Sequence, residues 1–144
     1  QDPMHFRSGG VDPGRDGCRV PLPWTADAPY CGFGSETAPW LPQPEGWSAY
    51  AADLQSADPA SMLSLYREAL ALRRSTAGFG DGPLDWLPAP DGVLAFRRGE
   101  GPMCVVNLSG APVELPAHRA VLLVSGPLDG DGRLPDDTAV WLRA

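Results

Sequence analysis

The chain has 144 residues, 43% of them hydrophobic and 20% charged, with a formal net charge of −7 and eleven basic residues, all arginine. That balance allows one ordinary folded domain, or a small domain with an appendage, and lacks the basic stripe that a nucleic-acid binder needs to neutralise phosphates. No apolar run approaches the length of a membrane span, so neither nucleic acid nor membrane is an expected partner.

Glycine and proline contribute 17 residues each and are densest in the first fifty positions. Residues 1 to about 55 show no sustained periodicity and carry three widely spaced tryptophans, Trp24, Trp40 and Trp47. They read as a long loop without an apolar face of its own, which must lie on something else and which at this length is expected to be functional. Tryptophans in such a loop either pin it to a scaffold or stack on the face of a ligand.

Residues 58 to 75 are predicted to be a helix. Asp58 serves as N-cap with Pro59 at the first helical position, and Met62, Leu63, Tyr66 and Leu70 recur at helical spacing. Leu65, Ala69 and Leu72 widen the stripe, Arg73 and Arg74 suit the negative end of the helix dipole, and Gly78 offers a stop. From about residue 84 the pattern changes to short strands: Leu84–Leu87, Val93–Arg98, Met103–Leu108, Pro112–Leu115, Ala120–Val124 and Thr138–Arg143. Arg98-Gly99-Glu100-Gly101 is a good hairpin turn between the second and third. The expectation is a small antiparallel sheet or sandwich.

Cys18, Cys31 and Cys104 are odd in number and not at metal-like spacing, which favours free thiols in a reducing, cytoplasmic setting. A Cys18–Cys31 bridge closing the loop is the alternative. His5 and His118 have no partners suggesting a triad or a metal site, and no cofactor is expected. Asp129-Gly130-Asp131-Gly132 has the start of a calcium loop, but Arg133 stands where the third ligand should be and no glutamate closes it. Asn107-Leu108-Ser109 fits a glycosylation sequon, yet it falls in a predicted strand and no secretory leader is visible, although the chain opens on Gln1 rather than Met.

Gly14 to Trp24 reads Gly-Arg-Asp-Gly-Cys-Arg-Val-Pro-Leu-Pro-Trp, with Gln1-Asp2-Pro3-Met4 ahead of it and Gly32-Phe33 behind. This resembles the loop after the eighth barrel strand of α-glucosidases and oligo-1,6-glucosidases of the α-amylase superfamily (glycoside hydrolase family 13). Leu72-Arg73 before Gly78 and the run Val105 to Ser109 are similar to the family's last barrel helix and carboxyl-terminal β-domain. The resemblance implies an α+β chain: residues 1–78 as the end of a (β/α)₈ barrel, with its long loop and final helix at 58–75, then 79–144 as a small antiparallel β-sandwich. It also implies that Arg15 grips the non-reducing-end glucose of an oligosaccharide substrate, that Arg19 braces the loop behind it, and that Asp16 holds one of the arginines. The same three residues also suit a local ion-pair network that only staples the loop. Where the commoner family pattern has Pro-Met-Gln-Trp, this chain has Pro21-Leu22-Pro23-Trp24, losing a hydrogen-bonding side chain.

The family's nucleophile and acid/base, on strands four and five, and its Asn-His-Asp motif have no counterpart in 1–144. The expectation is therefore a carboxyl-terminal piece of a retaining α-glucosidase that contains no catalytic residue and hydrolyses nothing alone. Its partner would be the rest of the barrel. Trehalose synthase and sucrose-isomerising enzymes share this tail. A free-standing β-domain that binds glycan or protein is the competing reading. The helix discriminates: a free-standing domain should bury the 62/63/66/70 face, a piece of a barrel should leave it uncovered.

Overall fold

A computed structural model describes residues 2–34, 37–80 and 82–144, so Gln1 of the amino-terminal motif lies outside the described residues. The chain divides into two compact units, Gln1–Ser64 and Leu65–Ala144.

The first unit is made of short pieces. Helix α1 (Pro3–Arg7) begins where Asp2 caps the amide of Met4 and Pro3 supplies a pre-set first position. Single 3₁₀ turns follow at Asp16–Arg19 and Trp47–Tyr50, with a left-handed turn at Pro29–Gly32 between them, and then helix α2 (Ala52–Ala57). Residues 1 to 55 are thus not one structureless loop. Few apolar groups are buried in this unit, chiefly Leu41, Ala51 and the prolines at 21 and 23. Its shape rests instead on turns and hydrogen bonds, as a segment without an apolar stripe must.

The expected helix from 58 is corrected at its start: the 14-residue helix α3 runs Met62–Ser75. Asp58 ends α2, donating its amide to the carbonyls of Leu54 and Gln55 and accepting from the amide of Ala60. A short carboxylate that bonds its own backbone two residues on makes a turn there, not a helix start. Ser61 is the cap of α3, with Oγ accepting from the amide of Ser64 at 3.1 Å and donating to the carbonyl of Gln55 at 2.6 Å. No residue of α3 is buried.

The second unit carries a five-stranded, wholly antiparallel sheet: β1 (Leu84–Trp86), β2 (Val93–Arg98), β3 (Met103–Asn107), β4 (Ala120–Val124) and β5 (Thr138–Arg143), in the order β1-β2-β3-β5-β4. Alternation puts two apolar sets on opposite faces. Ala95, Val105 and Val140 stand in register on one face and join Met103, Leu134 and Leu142 in the core. Phe96, Cys104, Trp141 and Leu123 stand in register on the other. Phe79, Trp141, Phe96 and Trp86 make edge-to-face contacts there, with centroids 4.9, 5.8 and 5.8 Å apart. Burial raises the Cys104 thiol to about 11, so it stays protonated at neutral pH.

The expected strand Pro112–Leu115 is not in the sheet, and no second sheet faces the first among the described residues. Val113 instead forms an isolated bridge with Leu134, each amide donating to the other's carbonyl at 3.0 and 2.8 Å. Pro112 and Pro116 have no amide hydrogen, so this stretch cannot extend a ladder. Leu134, fully buried, together with Val113, Leu115 and Leu128, covers the core face. Asn107, also fully buried, holds this cover on. Its Nδ2 donates to the carbonyls of Ala111 (2.8 Å) and Leu134 (2.9 Å), and its Oδ1 accepts from the amide and hydroxyl of Ser109 (3.0 and 2.7 Å).

Candidate functional site

Arg15, Asp16 and Arg19 meet at a residue to which the sequence reading assigned no role, Asp2. Its side chain is buried and accepts three hydrogen bonds: Met4 N on Oδ1 at 2.9 Å, and Arg15 N at 3.1 Å and Arg19 Nη1 at 2.6 Å on Oδ2. Its own amide donates to Asp16 Oδ2 at 3.1 Å, and Asp16 Oδ1 lies 3.6 Å from Arg19 Nη1. Gly14 makes the approach possible. It sits at φ +65, and a Cβ there would stand 2.5 Å from Asp2 Cγ.

The amides of Met4 and Arg15, and then the Arg19 guanidinium, hold the Asp2 carboxyl at about 2 against its usual 3.8, outweighing the opposing effect of burial. A carboxyl lowered in the folded state contributes stability that is complete above 3.8 and is lost as pH falls through about 2. The network is therefore intact throughout the neutral range. Arg19 is spent on it. The Arg15 side chain, by contrast, is exposed and makes no ion pair among the described residues. The one signal that could have singled out Asp2 is the Asp2-Pro3 pair, a helix-start signature.

A second loop is pinned beside α2. The amides of Trp24 and Thr25 both donate to the carbonyl of Cys31, at 2.7 and 3.0 Å. Ala52 N and Asp53 N donate to the carbonyls of Pro23 and Trp24, and the Asp53 carboxylate accepts from Ala26 N. Tyr30 and Cys31 both adopt left-handed backbone, φ 51 and 49, which for side-chain-bearing residues costs roughly 1–2 kcal/mol each. Trp24, Tyr30, Phe33 and Trp40 are exposed. Cys18, Cys31 and Cys104 are free thiols.

Elsewhere the chemistry is structural. In the Asp129–Arg133 turn the Arg133 guanidinium occupies the acidic mouth, with Nε 3.0 Å from Asp129 Oδ2 and Nη2 3.1 Å from Asp131 Oδ2. No metal-ligand cluster occurs among the described residues, and no helix there is long and apolar enough to cross a membrane. Between α3 and the aromatic face of the sheet runs an apolar groove of ≈ 360 Å³, lined by Tyr66, Leu70, Phe79, Leu123 and Trp141. Among the described residues, Arg73 and Arg98 bring charge to it.

No protein-family model matches the chain. A probable α-glucosidase of Rhizobium meliloti (strain 1021) is 36% identical over 153 residues, a match covering 99% of this chain and 27% of that protein. Among solved structures, an α-glucosyl transfer enzyme superposes with a TM-score of 0.71 at 33% identity, over 99% of this chain and 29% of that one. The trehalose-6-phosphate hydrolase of Bacillus licheniformis shares the fold, with a TM-score of 0.70 at 18% identity over 100% of this chain and 32% of its own. The chain thus spans little more than a quarter of the length of the curated relative it matches. It is a homologue of one region of the α-glucosidases of the α-amylase superfamily.

Proposed function

We propose that the chain is the carboxyl-terminal part of a retaining α-glucosidase acting on α-glucosidic bonds of malto- or isomalto-oligosaccharides. Residues 1–78 form the end of the catalytic barrel and 79–144 a stabilising β-domain. The catalytic carboxylates come from elsewhere in the barrel. The observation that carries this reading is the largely uncovered apolar face of α3: Met62, Tyr66 and Leu70 are 62%, 64% and 45% exposed, and Leu63 is half-buried. An amphipathic helix gains its stability by burying that stripe, so a free-standing domain would not present it to water. A barrel wall supplies the missing cover.

In this setting the loop after strand eight borders the sugar pocket. Arg19 is held by Asp2, which leaves Arg15 to grip the glucose at the non-reducing end with its forked donors. Arg15→Ala in the full-length polypeptide tests it. Loss of one charge-assisted contact of roughly 2–3 kcal/mol should lower kcat/KM for maltose or isomaltose about 100-fold, with the thermal midpoint nearly unchanged. Unaltered kcat/KM would remove Arg15 from the pocket.

A further inference from the structure

We infer that Asp2 is a positioning residue for substrate binding, fixing the backbone at Arg15 so that the Arg15 guanidinium faces the sugar. The inference rests on the reading of Arg15 given above, and its geometric basis is independent of that reading. One buried carboxylate does two separable jobs with its two oxygens. Oδ1 caps α1 through Met4 N, while Oδ2 receives both the Arg15 amide and the Arg19 guanidinium. Through Oδ2 the backbone of Arg15 is tied to a residue 13 positions earlier, and Arg19 is drawn off to the same oxygen. Arg15 is left as the arginine of the pair whose side chain is exposed and outside any ion pair among the described residues.

Gly14 narrows the choice of residue further. Its Cα lies so close to Asp2 that an added Cβ would fall 2.5–2.9 Å from the Asp2 side chain, so the loop is wrapped tightly on the carboxylate. Both the amide of Arg15 and the guanidinium of Arg19 are donors, and a carboxylate oxygen takes both as charge-assisted hydrogen bonds. An arginine held by its main chain loses less freedom on gripping a hydroxyl than one on a free loop. Asp2 thus acts through Arg15 and touches no sugar itself.

The two jobs separate by substitution. Asp2→Ser keeps a hydroxyl that caps Met4 N but has no second oxygen to reach Arg15 and Arg19. The experiment measures KM and kcat for maltose on the full-length polypeptide and on Asp2→Ser, Arg15→Ala and the double variant. The proposal expects Asp2→Ser to raise KM about tenfold, Arg15→Ala to raise it more, and the double variant to match Arg15→Ala, because nothing remains for Asp2 to orient. A KM for Asp2→Ser equal to wild type, beside an impaired Arg15→Ala, overturns the positioning role while leaving the Arg15 reading intact. So does a double variant in which the two losses multiply. An Arg15→Ala variant with unchanged KM overturns the Arg15 reading, and the positioning role with it.

Discussion

Asn107→Leu is expected to lower the stability of the sheet unit by about 2–3 kcal/mol, although it swaps a buried side chain for one of nearly the same size. Asn107 makes four hydrogen bonds and is fully buried. It ties β3 to both the 109–111 turn and Leu134. Each such bond contributes a net of about 1 kcal/mol, partly offset here by the apolar gain of leucine. The carbonyls of Ala111 and Leu134 keep one other donor each, the Ser109 hydroxyl and the Val113 amide, which limits the penalty. Urea unfolding checks it: the midpoint should fall with the slope unchanged. A midpoint equal to wild type would mean that apolar packing around Leu134 alone holds the cover on the sheet.

Gly101→Ala is expected to cost about 3 kcal/mol for a different reason, overpacking against immobile backbone. Gly101, in the turn between β2 and β3, abuts Gly78, which follows α3. A Cβ on Gly101 would strike the Gly78 carbonyl oxygen and stand 2.7 Å from its carbon and 2.9 Å from the Arg98 oxygen. All three are main-chain atoms, so no rotamer change relieves the contact. Gly130→Ala is the control, since nothing lies within 4 Å of the added carbon. The two alanine variants compared by thermal melting should differ clearly. Equal melting temperatures would show that the Gly78–Gly101 contact gives way at no cost.

The strands at 93–98, 120–124 and 138–143 were legible because alternation and turn glycines mark their ends, and the body of α3 because its apolar stripe runs over several turns. The start of α3 was not legible. Asp58-Pro59 and Ser61 are both good helix-start signals, and only the contact of Ser61 with Gln55 in the preceding helix decides between them. Helix α2 carries a single large apolar residue, Leu54, too few for any periodicity to register. The strand expected at Pro112–Leu115 did not form, because its flanking prolines leave one bridge in place of a ladder. At the site, the grouping of Arg15, Asp16 and Arg19 came from resemblance. Spacing could not reveal that their organiser lies 17 residues before Arg19, because such long-range hydrogen bonds leave no local pattern.

Whether this chain belongs to a larger polypeptide is decided by one mass measurement. An antibody raised to residues 102–115 would report the mass of the native species in its source cell. A band several times heavier than 15.3 kDa is expected, in keeping with a chain that matches 27% of its relative. A native species of 15.3 kDa would overturn the carboxyl-terminal reading and make the uncovered face of α3 the surface of a free-standing domain.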